Sequence, residues 1–227
     1  MTSLPRVVSV SLAALLAALL ALGGMMGAPA AAAPVVEGGF APRDECAALP
    51  GAAAFRASLA HAVAHRDADA FVALADPQVR LDFGDGAGRA ELARRLTGAG
   101  GAELWRELAA MLPLGCAVDQ GNLVLPWFFA QELGGDDPYN LLLVTGEKVP
   151  LLPKADAEAR PLRLLSWALV EPEEGFDESS EFQPVRIAGG GPVGFVAAAR
   201  LRSPLGYRLI AGRSGDGWAI EAFLAGD

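Results

Sequence analysis

The sequence predicts an α+β chain, an N-terminal helical α+β domain followed by a small all-β barrel. Three observations predict it. Apolar residues at helical spacing dominate the stretch from Ala52 to Leu112. Short runs alternating apolar and polar, punctuated by glycine and proline, take over between Leu141 and Leu201. A last pair of such runs, Tyr207 to Ala211 and Trp218 to Leu224, flanks an Asp216-Gly217 turn and reads as a hairpin.

Taken in order, residues 1–33 have the layout of a secretory signal peptide. Arg6 precedes an uncharged run from Val7 to Met26, and small residues around Pro29 supply a cleavage site between Ala30 and Ala33. The run is long enough to span a bilayer as an uncleaved anchor, but the small residues and Pro29 directly after it favour cleavage. No cysteine follows it at once, as a lipoprotein anchor would need. Residues 34–44, rich in Pro, Gly and small side chains, read as a flexible lead-in.

The α+β domain is expected over residues 45–135. Phe55, Leu59 and Val63 share one face of a helix from Ala52 to Ala64. Asp67 caps a second helix, Ala68 to Leu74, which Asp76-Pro77 ends. Val79 to Phe83 alternates as a strand, and Gly84 to Gly88 turns out of it. Leu92 and Leu96 pair on one helix before Gly98; Leu104, Leu108 and Leu112 line the next, with Trp105 and Met111 beside them. Leu123 to Phe129 is strand-like, and Pro126 within it suits an edge position.

The all-β part is expected over residues 138–203. Strands are read at Leu141 to Val144, Val149 to Leu152, Pro161 to Val170, Val185 to Ile187 and Gly194 to Val196. Gly189-Gly190-Gly191-Pro192 makes the tight turn of a hairpin, since glycine reaches positive φ freely and proline presets its own φ.

Phe182-Gln183-Pro184-Val185, the glycine turn and Gly194-Phe195-Val196 resemble the last strands of bacterial SH3-like domains. That resemblance implies a binding module rather than a catalyst. The loop signature Val-Arg-x-x-Pro of that family is here Leu151-Leu152-Pro153-Lys154-Ala155, without the arginine and with the proline moved. Phe55 to Phe83, and the closing Asp216-Gly217-Trp218-Ala219-Ile220, resemble the nuclear-transport-factor-like α+β cone. Trp105-Arg106-Glu107-Leu108, Leu114-Gly115-Cys116 and Leu125-Pro126-Trp127 look like the layout that precedes SH3-like domains in exported bacterial proteins of no assigned activity. The cone resemblance implies that the 205–227 hairpin completes the 45–135 domain, with the barrel inserted; the other arrangement is a simple tandem.

Charge and cysteine content narrow the partners. The 227-residue chain carries −9, which becomes −10 once Arg6 leaves with the signal. So acidic a chain repels phosphate backbones, and nucleic acid is not an expected partner. Cys46 and Cys116 are the two cysteines. In an exported protein they can pair; alternatively Cys116 is a small buried hydrophobe.

Residues that could carry chemistry are few. His61 and His65 have i, i+4 spacing, but lie about 200° round from the apolar stripe at ~100° per residue, so they read as solvated. Asp82 and Asp85 read as turn formers. Glu171, Glu173, Glu174, Asp177, Glu178 and Glu181 crowd one loop, a solvated acidic run that could draw a basic partner. No Ser-His-Asp set, phosphate loop or Cys-x-x-Cys pair is present, so catalytic, cofactor-binding and metal-ligating residues are all expected to be none. The aromatics remain. Phe176, Phe182 and Tyr207 are the expected lining of a ligand groove, Trp167 and Phe195 core. The expectation is an exported, periplasmic or secreted, non-enzymatic protein that binds a peptide or peptidoglycan component. The alternative is a small-molecule or catalytic pocket in the N-terminal domain, unless Phe55, Phe71, Trp105 and Leu108 fill it.

Overall fold

The computed structural model describes residues 33–133, 137–177 and 179–226. All of the expected signal peptide except Ala33 lies outside the described residues, as does Glu178. Among the described residues no helix is long and apolar enough to cross a membrane. The fold is a mixed α+β one.

Four helices cover one face of the N-terminal sheet. α1 (Ala52–His65) buries Phe55, Leu59, Ala62 and Val63. Asp67 starts α2 (Ala68–Ala73) by accepting the Ala70 N–H at 2.9 Å, which satisfies a donor the helix itself cannot. α3 (Arg89–Thr97) buries Leu92 and Leu96, and α4 (Gly101–Met111) buries Trp105, Leu108 and Met111. The indole N–H of Trp105 donates to the Leu96 carbonyl at 3.2 Å, locking α4 onto the end of α3.

The strands named in chain order are β1 (Val35–Glu37), β2 (Ala75–Arg80), β3 (Ala117–Asp119) and β4 (Asn122–Leu125). Next come β5 (Leu142–Val144), β6 (Val149–Leu151), β7 (Arg163–Ser166), β8 (Leu169–Pro172) and β9 (Phe182–Ile187). β10 (Val193–Ala197), β11 (Leu201–Arg202), β12 (Arg208–Ser214) and β13 (Gly217–Leu224) complete the set.

The sheet under the helices has the order β2-β13-β12-β4-β3, so the C-terminal hairpin supplies two of its central strands. Its core is aromatic. Phe71, fully buried, meets Trp105 edge-on at 5.7 Å and Phe223 at 6.1 Å between ring centroids. The opposite face of the sheet buries Ala117, Val124, Trp127 and Phe128 with Leu143, and Trp167 and Leu169 pack on them. Two further sheets carry the expected all-β stretch, one of order β10-β9-β8-β5-β11 and one of order β1-β7-β6. A bridge between Leu152 and Phe195 links their edges, with both N–H groups donating at 2.8 Å. Gly194 is required beside that bridge. A Cβ there would stand 2.6 Å from the Leu152 carbonyl oxygen.

The structure corrects the sequence reading at several elements. Residues 34–44 do not run as an unpaired lead-in: β1 pairs in parallel with β7, and Gly38 sits so close to Trp167 that a Cβ would fall 2.1 Å from its carbonyl oxygen. The strand expected at Val79 to Phe83 starts at Ala75 and stops at Arg80, leaving Phe83 half exposed. Pro77 is tolerated there because β2 is an edge strand. Pro126, by contrast, marks no edge. β4 lies between β12 and β3, and the proline ends it before a 3-10 turn. β3 was not expected; Gln120 and Gly121, both at positive φ, turn it into β4. The run from Pro161 to Val170 is broken at Trp167, whose φ of 51° sends β7 and β8 into different sheets. Trp167 and Phe195 are half-buried rather than core. Strict alternation along Trp218 to Leu224 puts Phe223 on the face opposite Trp218 and Ile220, and the structure does not place it there. A bulge between Ile220 and Ala222 inserts Glu221, resets the alternation and returns Phe223 to the same core.

Candidate functional site

A broad concavity follows α4. On one flank stand Glu103 and Glu107, one turn apart and so on one face of the helix. On the other stand β11, Ser203 and the loop that carries Phe176. The resulting cleft is about 560 Å³, with Leu142, Phe176, Ala198 and Leu201 as its apolar surface. It continues past Glu103, Glu107, Leu201 and Ser203 into a second lobe of about 330 Å³ that ends at Tyr207 and Ala225.

Gln183 builds the Phe176 side. Its side chain is 1% exposed and spends its polar atoms on the loop before β9. The carboxamide oxygen accepts the Asp177 N–H at 3.0 Å, and the amide nitrogen donates to the carbonyls of Asp177 and Ser180. Asp177 in turn accepts from Ser179 and Ser180, which holds its carboxyl below the usual range. The acidic loop is therefore folded on a buried amide, and the turn closes with Phe176 N–H donating to Glu173 at 3.1 Å.

Arg202 joins the two flanks. Its side chain is only 11% exposed; Nη1 lies 3.3 Å from Glu107 Oε2, and Nη2 donates to the Tyr207 carbonyl at 2.9 Å. Nε is buried without a partner among the described residues. Burial pulls the guanidinium below its ordinary pKa, with Glu107 opposing the shift. Tyr207 packs on Phe223 at 5.0 Å, and burial raises its phenol. Behind it, Leu81, Leu92, Leu104 and Phe223 line a small opening of about 50 Å³. Phe55, Phe71, Trp105 and Leu108 are all buried and fill the remaining interior.

Phe176 and Tyr207 thus line two lobes of one cleft, while Phe182 does not join them. It lines a separate pocket of about 210 Å³ with Val149, Leu152 and Ala197. The reason is the strand period: Phe182 and Gln183 are consecutive in β9, so their side chains leave on opposite faces. Sequence reading missed Gln183, Arg202 and Glu107. Glu103 and Glu107 at i, i+4 carried a local signal. Gln183 acts on a loop three to six residues away that its own position in an alternating strand does not announce, and Arg202 depends on a contact across 95 residues.

Cys46 and Cys116 are bonded, with Cα atoms 5.8 Å apart. Glu45 braces the junction by accepting the Trp127 indole N–H at 2.7 Å. His61 and His65 stack on the exposed side of α1 at 4.3 Å. Among the described residues no three His, Cys, Asp or Glu side chains are grouped to hold a metal ion. Asp82 accepts the N–H groups of Gly84 and Gly86 at 2.9 Å and pairs with Arg95 at 2.5 Å.

No protein-family model matches the chain. No curated protein matches it. Among solved structures, a chain named "Rd1NTF2_05" with five substitutions is 16% identical over 77% of this chain and 96% of that one, with a TM-score of 0.26. At that score the likeness says nothing of fold or function.

Proposed function

We propose that this is an exported, periplasmic or secreted, non-enzymatic binding protein that holds an extended peptide, either free or as part of the wall polymer. In this reading residues 138–203 are an SH3-like module set beside a nuclear-transport-factor-like cone, and the ligand lies along α4. The observation that carries the reading is the cleft of about 560 Å³ between α4 and β11. It continues into a second lobe, and is apolar at Phe176 and Leu201 and polar at Glu103, Glu107 and Ser203. Such a surface suits a chain that offers both side chains and amide groups. The Cys46–Cys116 bond supports export, because disulfides persist in oxidising compartments.

The second reading places a small molecule or a reaction inside the N-terminal domain. The packing favours the cleft instead. Phe55, Phe71, Trp105 and Leu108 fill the interior, and the opening behind Tyr207 is about 50 Å³, against roughly 300 Å³ or more for ordinary small-molecule sites. The pocket of about 400 Å³ between the end of α3 and α4 is an open surface one.

Pull-down on purified peptidoglycan sacculi, and separately on an envelope-protein extract, tests the proposal. Retention above a heat-denatured control on either matrix, reduced by Phe176→Ala, is the expected result. Retention equal to the control on both matrices overturns it.

A further inference from the structure

A second, chemically different pocket lies where β6 approaches the end of β10, and it shares no lining residue with the α4 cleft. Its volume is about 210 Å³, room for a single amino-acid residue rather than a long chain. Val149 and Leu152, both nearly fully buried, form the floor, and half-buried Phe182 forms a wall. Two cations, Lys148 and Arg200, stand on its rim together with Glu147.

The backbone of both cations is pinned. Lys148 adopts a φ of 53°, a region that L side chains rarely occupy, and its N–H donates to the buried hydroxyl of Ser166 at 3.1 Å. The Arg200 carbonyl accepts both the N–H and the hydroxyl of Thr145, at 2.7 and 3.1 Å. The Arg200 guanidinium lies over the same turn, with Nη1 3.6 Å from where a Cβ on Gly146 would be. Arg56, Arg94, Arg95, Arg106, Arg186 and Arg202 are each paired with a carboxylate, whereas neither Lys148 nor Arg200 is in an ion pair among the described residues. Glu147 offsets one of the two charges and leaves the rim net positive. The chain as a whole is acidic, at −9. At physiological salt, however, charges beyond about 8 Å are screened, so the local rim weighs more than the total charge of the chain.

From these observations we infer that the Val149–Phe182 pocket binds the C-terminal carboxylate of a peptide whose last side chain is apolar. The carboxylate pairs with Lys148 and Arg200, and the side chain rests on Val149, Leu152 and Phe182. A preset backbone under both cations lowers the ordering cost of forming those pairs.

The test is an NMR titration of the isotope-labelled protein with N-acetyl-leucine, N-acetyl-leucinamide and inorganic phosphate as separate probes. The acid shifts the amides of Lys148, Val149, Ala197 and Arg200. Leucinamide binds several-fold more weakly, and phosphate does not reproduce the pattern. Lys148→Gln with Arg200→Gln weakens the acid by about tenfold at low salt, while Phe182→Ala weakens acid and amide alike. Equal shifts from acid and amide, absence of shifts with the acid, or an unchanged double variant overturns the inference. Failure here leaves the α4 cleft untouched, because Phe176→Ala and the sacculus pull-down report on different residues.

Discussion

Removing the Cys46–Cys116 bond is the most informative perturbation of stability. The bond closes a loop of 70 residues. In the chain-entropy model a loop of that length restricts the unfolded chain enough to supply about 4 kcal/mol at 25 °C. Both cysteines are fully buried, so replacement by alanine also removes two packed sulfur atoms. The neighbouring contacts do not run through the bond: Glu45 accepts from Trp127 and, at 3.2 Å, from the Val118 N–H. The Cys46→Ala, Cys116→Ala protein should therefore fold, yet melt roughly 10 °C lower, taking 2–4 °C per kcal/mol for a chain of this size. Scanning calorimetry of wild type with and without reductant, beside the double variant, measures the difference. Coincident melting in all three samples, or two free thiols on labelling the denatured protein without reductant, would refute the assignment.

Other expectations follow from the packing and the charges. Phe71→Ala opens the aromatic core between Trp105 and Phe223 and should cost about 3–5 kcal/mol in a urea titration; a cost below 1 kcal/mol contradicts the packing described. Gly194→Ala drives a Cβ into the Leu152 carbonyl and should cost about 1–3 kcal/mol, whereas Gly190→Ala, with no atom nearby, should suffer only its positive φ. Glu91 is held down to about 2 by Arg94 and Arg95, and Asp82 is lowered by Arg95 and the Gly86 N–H. Folded values below unfolded ones mean that this stabilisation is complete above the ordinary carboxylate range and drains as pH falls from about 5 towards 2. Arg95→Met should flatten that acid limb in urea midpoints measured against pH, and an unchanged slope contradicts the pairing. Gln183→Leu should loosen the 173–181 loop, seen as faster amide exchange at Asp177, with β12 and β13 unaffected; uniform exchange rates speak against the clamp.

Much of the fold was legible because local chemistry dictates it. The apolar spacing of Phe55, Leu59 and Val63, the Asp67 cap, and the turn between β9 and β10 all act within a few residues. What was not legible depends on distant partners or on single backbone angles. The break at Trp167 sits inside a uniformly apolar run that reads as one strand. The bulge at Glu221 reverses an alternation that the sequence displays plainly as Trp218, Ile220, Ala222. β3 is three residues long and visible only through its pairing with β4. The cleft was half legible: Phe176 and Tyr207 line it, but the separation of Phe182 follows from the pleat of β9. Arg202 reaches Glu107 across 95 residues, a contact without local signature.

Mapping the amides of the labelled protein that respond to soluble peptides released from sacculi tests the α4 cleft most directly. Shifts grouped on Phe176, Leu201 and Ser203 with the facing side of α4 are the predicted result. A silent cleft at saturating peptide, or shifts confined to the Phe182 pocket, would contradict it.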